Sequence, residues 1–256
     1  MRNSVTFYRR VVWLLALLPG LLALPFLQLT DTFTASAWLN NLGRLTGILG
    51  LSFLLVAAAL CCRVPGFDRP FGGLTKLWQL HHRLGGIAFL LLLSHPLLLA
   101  FAATGISIEA AVATLFSTRA SVIWGWVALL SLMVFMAPSF GFFGEPEYQR
   151  WKILHRLSGV AVVFSLVHTL MLARTWPVWF SFAVWIALAA LALAALAYRW
   201  GYARWQGRRK YRVAEIAHPA RDVVELTLRP EGEPLRYLAG QFVYLTPWLP
   251  GVPGHR

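Results

Sequence analysis

The chain has 256 residues, 58% of them hydrophobic and only 13% charged, with a mean hydropathy of +0.63. That composition excludes an ordinary soluble domain and describes an integral membrane protein. The formal net charge of +13 does not signal nucleic acid, because the basic residues fall between apolar blocks and no reading motif accompanies them.

Six blocks reach the roughly 20 apolar residues that a bilayer core requires, near 11–29, 38–62, 77–103, 121–138, 153–174 and 177–198. The expected fold over residues 1–205 is an all-α polytopic membrane bundle of six transmembrane helices. The first block reads either as a span or as a cleaved signal peptide, since Arg9-Arg10 precede it and Ala35-Ser36-Ala37 follow it. Its apolar core, about 18 residues, is long for a signal. The second block ends in Cys61-Cys62. Sequence neighbours make poor disulfide partners, so both read as packing residues.

The third and fifth blocks carry one pattern written twice. His82-Arg-Leu-Gly-Gly-Ile-Ala-Phe-Leu-Leu-Leu-Leu-Ser-His95 aligns without gaps on His155-Arg-Leu-Ser-Gly-Val-Ala-Val-Val-Phe-Ser-Leu-Val-His168. Each copy sets two histidines 13 residues apart, about 20 Å along a helix. Imidazole is an axial ligand for haem iron, and a polar ring in hydrocarbon needs a partner. Two such helices side by side offer His82, His95, His155 and His168 as ligands for two six-coordinate haems, one in each leaflet. No Cys-x-x-Cys-His is present, so both would be haem b, held by coordination alone. The plainer reading is a set of hydrogen-bonded core imidazoles.

The helical wheel resists the 13-residue step, which turns about 140° away from a common face. A 14-residue step, from His81 to His95, is only about 40° off. His81 therefore stays open as an alternative to His82; the fifth block offers no such choice, since Leu154 precedes His155. Gly86 and Gly159 follow the first histidine of each copy by four residues and would leave room for a flat macrocycle, or for close helix packing. Arg83 and Arg156 suit haem propionates or simple snorkelling to the interface. Arg44, inside the second block, joins Arg119 and Arg174 as a candidate for outer propionates or an anionic metal chelate. Phe89 and Phe164 lie between the ligands, as packing or between the haems.

Lys and Arg cluster in the terminal segment and in alternate connections, at Arg2, Arg9, Arg10, Arg63, Arg69, Lys76, Arg150, Lys152, Arg199, Arg204, Arg208, Arg209 and Lys210. The other side carries only Arg119 and Arg174 in its loops. The expected topology is a multi-pass protein of the plasma or inner membrane with both termini cytoplasmic. The third and fifth helices then run in parallel, with His82 beside His155 near the cytoplasm and His95 beside His168 farther out.

After Arg209 the pattern changes. Lys210–Ala217 and Asp222–Leu228 alternate apolar and polar residues, and Leu235–Leu245 adds a third stretch rich in strand formers. Residues 206–256 read as an incomplete antiparallel β-barrel segment, too short for a barrel with its own core, and the chain is expected to be truncated after Arg256.

These features resemble the ferric reductase and NADPH oxidase superfamily. The four histidines follow its ligand order, and Tyr237-Leu-Ala-Gly-Gln-Phe-Val243 resembles the Pro-Gly-Gln-Phe strand of ferredoxin-reductase-type barrels, with Ala239 in place of the proline. The resemblance implies six spans with two haems b, then an FAD-binding barrel and an NAD(P)H-binding domain on the cytoplasmic side. Electrons would pass from NAD(P)H through FAD and the two haems to an external acceptor such as a Fe(III) chelate or oxygen. The His-Pro-Phe-Ser/Thr flavin motif and a glycine-rich nucleotide loop are absent from the chain. NAD(P)H would therefore be met through a missing C-terminal domain or a separate subunit. Two alternatives stay open: a haem-only electron-transfer subunit served by a separate reductase, and a six-helix transporter whose histidines relay protons or bind a non-haem metal. Membrane lipid is the one partner the sequence names; oligomeric state is left open.

Overall fold

A computed structural model describes residues 2–27, 34–62, 64–140, 147–172, 177–202 and 208–235, with 237, 243 and 245. Among these, six segments are long and apolar enough to cross a membrane: Val5–Phe26, Ala35–Ala59, Leu74–Ala103, Ala120–Ser139, Arg150–Leu172 and Trp179–Ala197. The chain is a multi-pass membrane protein. It divides into two compact units, Met1–Gly201 and Tyr202–Arg256.

The first unit contains helices α1 (Arg2–Ala23), α2 (Ala35–Ala59), α3 (Leu74–Ala103), α4 (Ile108–Phe116), α5 (Ala120–Met136), α6 (Tyr148–Leu154), α7 (Leu157–Leu172) and α8 (Val178–Ala197). α2 is the central helix and packs against α1, α3, α7 and α8, while α5 packs against α7. Leu51, Phe53, Leu55, Val56 and Ala57 of α2 are all buried, joined by Leu77, Leu80 and Leu84 of α3 and Trp185 of α8. The stretch Leu51–Ala57 is surrounded by protein and has no lipid-facing side, which is why it is apolar all round except for Ser52.

Small residues let α3 lie against α2. Gly43, Gly47 and Gly50 fall at helical spacing on one face, and a β-carbon there would come within 2.8, 2.7 and 2.7 Å of Leu99, His95 and Leu92. Gly43-Arg-Leu-Thr-Gly47 is a small-xxx-small motif of the kind that brings membrane helices close.

Two features depart from the expected six simple spans. α4 is a helix of nine residues between the third and fourth spans, too short to cross. The fifth span is broken at His155-Arg156, between α6 and α7. There the hydrogen bonds Arg156 N–H to Ile153, Ser158 N–H to His155 and Gly159 N–H to Arg156 are of the tighter i to i+3 type.

The second unit is a two-stranded antiparallel sheet of β1 (Tyr211–Ala220) and β2 (Val223–Pro230), with Tyr211 opposite Pro230 and Ile216 opposite Leu226. Among the described residues the sheet does not close into a barrel. Ion pairs Arg212–Glu231 at 3.2 Å and Arg209–Glu233 at 3.4 Å flank it. Residues 238–242, the Leu-Ala-Gly-Gln-Phe part of the sequence motif, lie outside the described residues.

Candidate functional site

Two imidazole pairs form in the first unit. His81 of α3 faces His155 with ring centres 6.2 Å apart and planes at 66°. His95 of α3 faces His168 of α7 with ring centres 6.2 Å apart and planes at 80°. The expectation of His82 beside His155 is corrected: His82 is exposed, and His81 turns into the bundle.

Helix geometry explains both the exchange of His81 for His82 and the pairing by depth. Along continuous α3 the 14 residues from His81 to His95 rise about 21 Å and drift only about 40°. In the fifth span the break overwinds the chain. Taking four of the 13 steps from His155 to His168 as 3₁₀-like cuts the angular error from about 140° to about 60° and lengthens the rise to about 21.5 Å. The two spans thus reach equal lengths by different windings.

The rings are oriented by backbone carbonyls. His81 Nδ1 donates to Ala57 O at 2.8 Å, His95 Nδ1 to Gly43 O at 2.7 Å and His168 Nδ1 to Ser121 O at 2.6 Å. A carbonyl only accepts, so Nδ1 carries the proton in each case and Nε2 keeps its lone pair. This is how proteins fix the tautomer of a metal-ligating histidine. Among the described residues His155 Nδ1 has no hydrogen-bond partner; its ring is held instead by stacking on Trp151 at 4.9 Å and by the edge of Phe135 at 5.3 Å.

The separation carries chemical meaning. An imidazole nitrogen ligates a metal at about 2.0–2.1 Å, and adding about 1.1 Å from nitrogen to ring centre on both sides gives about 6.3 Å between centres. Both pairs match the spacing of two imidazoles on opposite sides of one ion. Among the described residues no three His, Cys, Asp or Glu side chains gather as a metal site. Two protein ligands alone suit an ion whose remaining positions a macrocycle fills.

The other expected site residues are placed unevenly. Arg44 is half-buried and Arg119 exposed, and both line a cavity of about 790 Å³ beside His95 and His168. Arg83 and Arg156 are exposed, and Arg174 lies outside the described residues. Gly85, Gly86 and Gly159 have nothing within 4 Å of where a β-carbon would stand, so none of the three marks close helix packing. With His81 turned inward, Gly85 is the glycine four residues on, as Gly159 is for His155. Phe164 stacks on Trp124 at 4.8 Å, a packing contact with α5.

Sequence reasoning missed the glycines that admit the second pair. A β-carbon at Gly47 would meet His95 Nδ1 at 2.7 Å, and one at Gly125 would meet His168 Nδ1 at 2.8 Å. The Gly43-to-Gly47 spacing was a usable signal; Gly125 carried none. It also missed Arg199, on the irregular turn Tyr198–Tyr202, whose charge acts on Cys61, His81 and His155. Cys61 in turn lies 3.7 Å from His81 Nδ1, so a fixed positive charge stands near the first pair.

Residues 46–166 match the family described as ferric reductase like transmembrane component. That stretch is similar to the transmembrane component of ferric reductases. A comparison with curated proteins gives no match. The matched stretch runs from α2 into α7 and includes His81, His95 and His155; His168 stands two residues beyond it. The family is generally haem-binding and suggests an oxidoreductase that moves electrons across a membrane.

Proposed function

We propose that this chain is a transmembrane electron-transfer protein that holds one haem b between His81 and His155 and a second between His95 and His168. The observation that carries the reading is the 6.2 Å ring separation, repeated at both levels with Nε2 left free in three of the four rings. When bound, each haem supplies a one-electron Fe(III)/Fe(II) couple.

The chain's own residues do the rest. The carbonyls of Ala57, Gly43 and Ser121 hold three imidazoles at a set angle, and Trp151 with Phe135 holds the fourth. Buried leucines of α2, α3 and α5 keep water from the path between the levels. Arg44 and Arg119 supply positive charge beside the second pair, suited to propionates or to an anionic acceptor. Two histidines on each iron favour outer-sphere transfer over direct binding of oxygen.

The loop charges support cytoplasmic termini, the first pair nearer the cytoplasm and the second farther out, in a plasma or inner membrane. The donor is reduced flavin derived from NAD(P)H, and the acceptor a Fe(III) chelate or oxygen; this part rests on the family resemblance. The test is a reduced-minus-oxidised visible spectrum of protein purified from haem-supplied cells. Sharp b-type bands at two haems per chain are expected, and a colourless preparation would overturn the reading in favour of a transporter.

A further inference from the structure

The segment joining the third and fourth spans has two opposed faces. Ile108, Val112 and Phe116 are 74%, 51% and 70% exposed, a large apolar stripe at spacings of four along α4, and Ile106, just before the helix, is 84% exposed. Ala110, Ala113, Thr114 and Ser117 face the other way and line the cavity beside His95 and His168. On the wheel the stripe covers about 0–80° and Ala110, Ala113 and Thr114 cover about 140–240°, with Leu115, at about 340°, bordering the cavity beside the stripe, so most of the cavity lining lies opposite the stripe.

α4 is fixed at the level where spans end. Only four residues separate it from Ala103 at the end of α3, and three separate it from Ala120 at the start of α5. Its first turn is capped by Ser107, whose side-chain oxygen accepts from Ala110 N–H at 3.0 Å. Its last turn is tied down by Trp126, whose indole N–H donates to Leu115 O at 2.6 Å while its ring stacks on Phe116. The exposed stripe continues onto lipid-facing residues at the same ends of the neighbouring spans: Leu97 and Phe101 of α3, and Ile123 of α5, are 49%, 61% and 47% exposed. An apolar face continuous with a membrane-facing surface, on a helix too short to cross, meets its solvent requirement by lying in the interface.

We propose that α4 is an interfacial roof: its Ile108-Val112-Phe116 stripe is seated in membrane lipid, and its Ala110-Ala113-Thr114 face closes the cavity beside His95 and His168. Lipid is the occupant because the stripe joins the spans' own lipid surface and carries no charge. Glu109, on the edge between stripe and cavity face, marks the water side. Its carboxyl is held below the usual range by its own backbone N–H first and the Ser107 hydroxyl second, so it stays ionised. The roof sets the size of acceptor that reaches the second pair, and lipid holds it shut.

The test is site-directed spin labelling in a Cys61→Ser, Cys62→Ser background, reconstituted in phosphatidylcholine vesicles. Ile108→Cys, Val112→Cys, Phe116→Cys and Glu109→Cys are labelled one at a time, and relaxation by oxygen and by a water-soluble nickel chelate is compared. The oxygen-to-nickel ratio is expected to be several-fold higher at 108, 112 and 116 than at 109. Two outcomes overturn the proposal: nickel access at all four sites, which puts α4 in water, or immobilised labels with dipolar broadening between copies, which makes the stripe a protein contact. The labels report without haem, so this result and the haem result fail separately.

Discussion

The imidazole planes of His95 and His168 cross at 80°, and their ring centres stand 6.2 Å apart. Each ring is pinned by its own backbone carbonyl, so the crossing angle is set by the fold and not by the ligand. With a haem iron held between them, two nearly perpendicular imidazoles would leave two of the iron d-orbitals close to degenerate. The oxidised protein is therefore expected to give a strongly anisotropic low-spin EPR signal with a large highest g-value from this site. The first pair, at 66°, is expected to give a somewhat less extreme one. A single rhombic signal of the parallel-plane type from both sites would contradict the geometry.

Gly47 and Gly125 hold the second pair in place by what they lack. A methyl group at either position would stand 2.7–2.8 Å from a ring nitrogen. Gly47→Ala and Gly125→Ala should each cost about 1–3 kcal/mol by overpacking and displace His95 or His168. The expected result is loss or spectral shift of one haem while the other is retained, read by haem quantification and difference spectra.

Gly159 tests the space at the first pair from the other direction. No protein atom lies within 4 Å of its missing β-carbon, so Gly159→Leu should leave expression and thermal stability of the haem-free protein unchanged. Haem occupancy at the first pair should fall, because the added side chain fills the room left for a macrocycle. Full occupancy with the leucine present would show that the space serves another purpose.

Arg199 brings positive charge toward Cys61, His81 and His155. A nearby cation favours the reduced iron, which carries one positive charge fewer than the oxidised one. Arg199→Gln should lower the midpoint potential of the first haem by roughly 40 mV, on the order of 1 kcal/mol for one electron, and leave the second unmoved. A redox titration followed at the two haems' separate bands checks both halves of this expectation.

Much of the fold was legible because a bilayer imposes one strong rule: a span needs about 20 apolar residues. The six spans fall within a few residues of their expected positions. The two strands end at Ala220 and Pro230, slightly beyond the alternating stretches that announced them. The site was harder to read. The repeated His-Arg-Leu-x-Gly aligns His82 with His155, but equal offsets in sequence are equal in space only when two helices wind alike. The break at His155-Arg156 overwinds one copy, and the register shifts by one residue to His81. No proline announces that break. The small α4 went unseen for a different reason: nine residues are too few to register as a span, and Glu109 alone makes no charge pattern of a surface helix.

The central claim is that His81, not its neighbour, shares an iron with His155. The most direct measurement is haem content and the reduced-minus-oxidised spectrum of His81→Leu and His82→Leu, prepared side by side. His82→Leu is expected to keep two haems per chain with unchanged bands, and His81→Leu to keep only the one at His95 and His168. The reverse pattern, or two haems retained in both variants, would contradict the pairing on which the account stands.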